Sequence, residues 1–159
     1  MADLEDLLAE LDAAREGFLE ALAEVDADLV TVPGVVGDWS VRDLVVHVAA
    51  WDEHGADALA LAATGRGAEF AYSRTDTDAM NERIFAEGRG TSPREALARE
   101  ETAFTTLRER ISTLDPAALA TRLGNGDSIE AVIRYDGPDH YGEHTGHLRA
   151  WFVADDDDA

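Results

Sequence analysis

"WSVRDLVVHVAAWDEH", residues 39–54, decides how the rest of the chain is read. Ser40 can cap a helix, and Asp43, three residues on, is the reciprocal acid of a capping box. Trp39 and Leu44 flank the cap where a hydrophobic staple would close. Leu44, His47, Val48, Trp51 and, further on, Ala58 share one face at about 100° per residue. The spacing predicts a helix from Val41 to about Ala63, ended by "TGRG" at 64–67.

The segments on either side follow the same period. Leu4, Leu7, Leu8, Leu11, Phe18, Leu22 and Val25 predict a first helix from about Asp3 to Val25. A Pro- and Gly-bearing loop joins it to the second. A short helix is expected over Asp76 to Glu87. Ser92 as cap, Pro93 at the first helical position and Glu95 at the third begin another. That helix places Leu97, Phe104, Leu107, Ile111 and Leu114 on its core side and stops before Pro116. "IEAVIRY", 129–135, is open between a helical turn and an extended connection. Asp136 as cap and Pro138 in the first turn predict a last helix ending near Val153. Four long amphipathic helices, one short one and no β-alternation give an all-α fold, a four-helix bundle. The connection 64–92 is long enough to cross the bundle's end, so the course need not be up-down-up-down. Residues 1–154 read as one domain and 155–159 as an acidic, disordered tail.

Composition excludes several functions. The 159 residues carry 34 Asp+Glu against 13 basic residues, a net charge of -21. Such a chain repels nucleic acid and anionic lipid, so neither is expected as a partner. No apolar run is long enough to span a membrane, and the acidic start lacks the basic, then apolar, pattern of a signal peptide. A cytoplasmic protein is expected. The chain has no cysteine, which removes thiolate nucleophiles and Cys-ligated zinc. Every basic residue is arginine. The acid excess suits a halophilic, high-salt surrounding, and a GC-rich genome is compatible with it. No GxSxG, Walker loop or GxGxxG is present.

The histidines carry the chemical signal. "HYGEHTGHLRAW", 140–151, puts His140, His144, His147 and Trp151 within about 60° of arc on the last helix. His140 and His144 are at i, i+4, a spacing at which two imidazoles can reach one ion. His47 faces inward from the second helix. One inward histidine is ordinarily a core residue bonded to a carbonyl. Three would each need a buried partner, and a shared divalent ion satisfies them together. His147 could stand in for His140 in such a triad. It and His54 read rather as pocket or surface residues. Trp51 and Trp151 are either plain core residues or walls of a pocket beside the metal.

"GDWSVRDLVVHVAAWDEH" and "HYGEHTGHLRAW" together resemble the DinB/YfiT-like superfamily. The second segment is most similar to the branch that includes the colibactin-resistance-like proteins, and the mycothiol-dependent isomerases share a similar N-terminal domain. The resemblance implies a bundle of up-down-down-up course with a long helix 2–3 crossover, and a homodimer. It also implies a divalent metal (Zn, Ni or Fe) held by His47, His140 and His144. His147 lies beyond the usual motif. The activities it implies are thiol-dependent transfer and hydrolysis of small, electrophilic molecules, with a low-molecular-weight thiol as possible cosubstrate and no catalytic residue assigned. Three imidazoles leave room on the ion for water or that thiol. A non-catalytic small-molecule-binding or stress-response bundle, its metal structural or absent, is the alternative.

Overall fold

The computed structural model describes residues 3–158, with side chains described through Trp151. Among the described residues six α-helices are formed: α1 Leu4–Ala23, α2 Val41–Ala63, α3 Thr77–Glu87, α4 Pro93–Ser112, α5 Ile129–Asp136 and α6 Pro138–Asp158. Among the described residues there is no strand, only two isolated bridges. The long helices α1, α2, α4 and α6 make an up-down-down-up bundle. Within it α2 packs along α4, and α1 packs along α6.

The helix starts follow from capping chemistry. Ser40 and Ser92 both form complete capping boxes with Asp43 and Glu95. These satisfy donors that a helix's first turn leaves open. Their positions agree with the boundaries expected of α2 and α4. The core is built from the apolar faces, with Leu7, Leu11 and Phe18 of α1, Leu44 and Leu59 of α2, Leu107 and Ile111 of α4, and Leu148 of α6 fully buried.

Two expectations need correction, and one open reading is settled. Leu97 was expected on the core side of α4 and is instead 46% exposed. Ala96, Glu100, Ala103, Phe104 and Leu107 form the buried face, and Leu97 falls one residue off it. "IEAVIRY" resolves as helix α5, capped by Ser128, whose hydroxyl accepts from the Ala131 N–H at 3.1 Å. Asp136 is the last residue of that helix rather than the cap of the next. Gly137 breaks the chain there: its carbonyl accepts the Tyr141 N–H at 3.0 Å, so it opens α6, with Pro138 in the first position. A Cβ at Gly137 would sit 2.6 Å from the Ile133 carbonyl oxygen, so only glycine fits this corner. The proposed tail, 155–159, has its side chains outside the described residues. Among the described residues, no helix is long and apolar enough to cross a membrane.

A further core residue is Asp52, which follows Trp51 on α2. It is fully buried. The Tyr141 hydroxyl donates to its Oδ2. Tyr141 also reaches Glu100 Oε1 at 3.5 Å, and Glu100 holds Arg15 at 2.6 Å. Arg15 lies over the Phe104 ring, 4.3 Å from its centre. One polar chain therefore ties α1, α4, α6 and α2 together inside the core. Buried charges persist when each is paired, as Glu100 and Arg15 are. Burial pushes the Asp52 carboxyl well above the usual carboxylate range.

Candidate metal centre

Three imidazoles meet where α2 and α6 face each other. His140 Nε2 lies 2.9 Å from His47 Nε2 and 2.9 Å from His144 Nε2. The three ligand atoms all fall within 4.8 Å of one another, the geometry of a group able to hold an ion. The one-turn spacing of His140 and His144 puts both on the same α6 face. The capping box at Ser40 fixes the register in which α2 presents His47.

The donor set fits a divalent cation. Burial, then the neighbouring imidazoles, pushes His47 and His140 down to about 3 and His144 to about 2. All three are neutral at neutral pH, the form that binds metal. One N–H at His140 Nε2 can be shared with only one neighbour, so the remaining lone pairs face each other. A cation at the meeting point would turn that repulsion into coordination.

Behind the triad, His144 Nδ1 lies 3.1 Å from His147 Nδ1. His144 thus has a hydrogen-bonding partner on its far nitrogen. His47 Nδ1 and His140 Nδ1 are buried with none among the described residues. His147 stands outside the converging group.

The triad forms part of the lining of a cavity of about 530 Å³. Trp39, Trp51, Tyr72, Tyr135 and Val36 make its apolar surface. Trp51 lines the cavity. Trp151 does not; it packs at the edge of the core near Gly34. Trp39 takes that place, its ring centre 4.6 Å from that of His47. It had been read as a hydrophobic staple, and that role hid its second one.

The cavity also exposes a pair that sequence reasoning missed. Asp136 is 2% exposed, lines the cavity, and accepts a 2.7 Å contact from His54 Nδ1 at its Oδ2. Burial pushes its carboxyl up to about 6, although the His54 contact opposes the shift. Gly55 allows this approach: a Cβ there would lie 3.3 Å from Asp136 Oδ2. The two residues are 82 apart in sequence, so no local pattern could announce them.

Among the described residues the fold is an all-helical bundle, with three converging histidines between α2 and α6. Residues 11–149 match the profile of the mycothiol maleylpyruvate isomerase N-terminal domain. The chain belongs to that family, within the DinB/YfiT-like superfamily. None of the curated protein sequences matches it. Among solved structures it is similar to an uncharacterised protein from Escherichia coli UTI89, with a TM-score of 0.83, 18% identity and coverage of 96% of this chain and 94% of that one. It is also similar to the colibactin self-resistance protein ClbS, solved in complex with a dsDNA, with a TM-score of 0.80, 17% identity and coverage of 92% and 93%. A Streptococcus pneumoniae protein matches at a TM-score of 0.74 and 12% identity, over 96% and 92%. At these identities the likeness establishes the fold.

Proposed function

We propose that the chain is a divalent-metal-dependent enzyme that acts on a small molecule bound in the cavity over His47, His140 and His144. The reaction class is thiol-dependent transfer or hydrolysis of an electrophile. The observation that carries this reading is the convergence of three neutral imidazoles on the wall of an aromatic-lined cavity. The bound ion would supply Lewis acidity, lowering the pKa of a water or thiol that it holds.

The chain's own residues do the rest. His47, His140 and His144 hold the ion; zinc, nickel and iron(II) all suit imidazole. Trp39, Trp51 and Tyr72 pack the apolar part of the substrate and exclude water. Asp136, braced by His54, is the cavity's candidate proton carrier, since a carboxyl near 6 can both take and return a proton at neutral pH. His147 braces His144 at the cavity rim. With no cysteine in the chain, any thiol must come from outside.

The dsDNA recorded with ClbS is not carried over to this chain, because a net charge of -21 opposes binding to phosphate backbone. A cytoplasmic homodimer at high ionic strength completes the proposal, the dimer on superfamily resemblance and the salt on the charge. The test loads the chain with zinc, nickel or iron(II) and assays a panel of electrophiles with and without a low-molecular-weight thiol. Turnover by the wild type that disappears in His140→Ala/His144→Ala supports the reading. Metal binding without turnover anywhere in the panel favours a binding protein instead.

A further inference from the structure

Arg74, Thr77 and Asn81 line the same cavity from a different element than the histidines. They stand at i, i+3 and i+7, so the turn entering α3 and the first turns of α3 present them on one edge. That edge is fixed in place. Ser73 caps the turn, its N–H donating to Asp76 Oδ2 at 3.2 Å. Tyr72 OH and Thr77 Oγ1 are 2.6 Å apart, and Asn125 Nδ2 donates to the Tyr72 carbonyl at 3.0 Å.

The polarity of the edge follows from its partners. The Trp51 indole N–H can only donate, and it reaches Asn81 Oδ1 at 2.9 Å. The Asn81 oxygen is thereby occupied and its NH₂, a pure donor, is left for something else. Among the described residues, Arg74 is the one arginine on the cavity wall, and the triad histidines are neutral. Among the described residues Arg74 makes no ion pair; Arg83, Arg89, Arg94, Arg122 and Arg149 make none either, but of these only Arg74 lines the cavity. Of the two acids that line the cavity among the described residues, Asp136 is bonded to His54, and Glu143 stands on α6 with the histidines. Donors therefore gather at the α3 edge.

We propose that this edge is an anion subsite: Arg74 and the Asn81 carboxamide bind the carboxylate of a small organic acid whose apolar body lies against Trp39, Trp51 and Tyr72. A planar guanidinium matches a planar carboxylate through two parallel hydrogen bonds. In a chain this negative, an acid needs such a local cation to enter at all. The inference rests on the reading that the cavity holds the small-molecule ligand, and it adds that ligand's chemical class.

The experiment compares 3-phenylpropionate with its neutral amide, 3-phenylpropionamide, by NMR titration of the full chain, read at the Trp51 indole N–H. It is run before and after chelator treatment, so that carboxylate bound to an ion is separated from carboxylate bound at Arg74. The wild type should prefer the acid by about tenfold or more in both states, the scale of a charge-assisted hydrogen bond. Arg74→Gln should abolish that preference while leaving amide binding unchanged, and Arg74→Lys should restore part of it. Asn81→Asp keeps an acceptor for Trp51 but repels the carboxylate, so it should favour the amide. Equal binding of the two probes by wild type, a preference that survives Arg74→Gln, or no binding of either probe would overturn the subsite. Metal content measured on the same samples keeps the two readings apart. One ion per chain with no carboxylate preference removes the subsite alone, and a preference without metal binding removes the metal centre alone.

Discussion

His47 on α2 and His140 on α6 bring their Nε2 atoms to 2.9 Å, although 93 residues separate them in the chain. The contact depends on the rotation of two packed helices, and each rotation has its own cause. Ser40 sets where α2 begins, and the corner at Gly137 sets where α6 begins. A one-residue slip at either start would turn its histidine about 100° away.

His147 should tune the metal without holding it. Its Nδ1 lies 3.1 Å from His144 Nδ1 and braces the ring whose other nitrogen faces the triad. Loss of such a partner ordinarily weakens a metal site by about 10–100-fold. His147→Ala should therefore lower affinity on that scale while leaving the stoichiometry at one ion per chain. Competition against a chelator reads both quantities. Unchanged affinity would show that the contact does not support the site.

The buried chain through Tyr141 should be a stability element. Tyr141→Phe removes the donor to Asp52, which is fully buried, and leaves the Asp52 carboxyl unsatisfied. The expected cost is about 1–3 kcal/mol in the urea unfolding free energy, with metal stoichiometry unchanged. A loss well under that range would mean that Asp52 finds another partner.

The metal-free protein should lose stability on acidification. The three site histidines have folded-state values of about 3, 3 and 2, below the ordinary 6.5. Between those limits the unfolded chain binds more protons, so stability falls as pH drops below 6.5 and goes on falling toward 3. Each histidine contributes a slope of at most about 1.4 kcal/mol per pH unit. Asp136, raised to about 6, works in the opposite sense between its ordinary 3.8 and 6, and offsets one histidine in part. Urea midpoints at pH 7 and pH 5 should differ in wild type and differ less in His47→Ala/His140→Ala/His144→Ala. Equal differences in the two proteins would contradict the assignment of buried, neutral histidines.

Most of the bundle was legible because its signals are local. The Ser40–Asp43 and Ser92–Glu95 pairs sit three residues apart, and the apolar stripes repeat every turn, so both can be read without tertiary information. The triad was legible in part for the same reason, through the one-turn spacing of His140 and His144. What stayed hidden depends on long-range contact. Asp52 looked like one acid among 34, and its burial becomes visible only when Tyr141 arrives from α6. The Asp136–His54 pair spans 82 residues. Asp136 also mimicked a helix cap, because Pro138 follows it, while the break itself belongs to Gly137. Leu97 shows the limit of periodicity: a leucine at the border of an apolar stripe can fall on either side of it.

The charge of -21 predicts a dependence on salt. The screening length shortens from about 8 Å at physiological ionic strength to about 3 Å at 1 M, so self-repulsion fades over that range. Thermal midpoints should rise from low to molar potassium chloride. A flat profile would mean that the ion pairs, such as Arg108–Asp12 and Arg99–Glu53, lose as much to screening as the net repulsion releases.

Metal stoichiometry across the histidine variants tests the centre most directly. Wild type, loaded with zinc, nickel or iron(II) and freed of excess, should hold one ion per chain by elemental analysis. His47→Ala, His140→Ala and His144→Ala should each weaken retention, His140→Ala/His144→Ala should abolish it, and His54→Ala should leave it unchanged. A wild type that retains no divalent ion after loading, or a His140→Ala variant that keeps its ion while His147→Ala loses it, would contradict a site built from His47, His140 and His144.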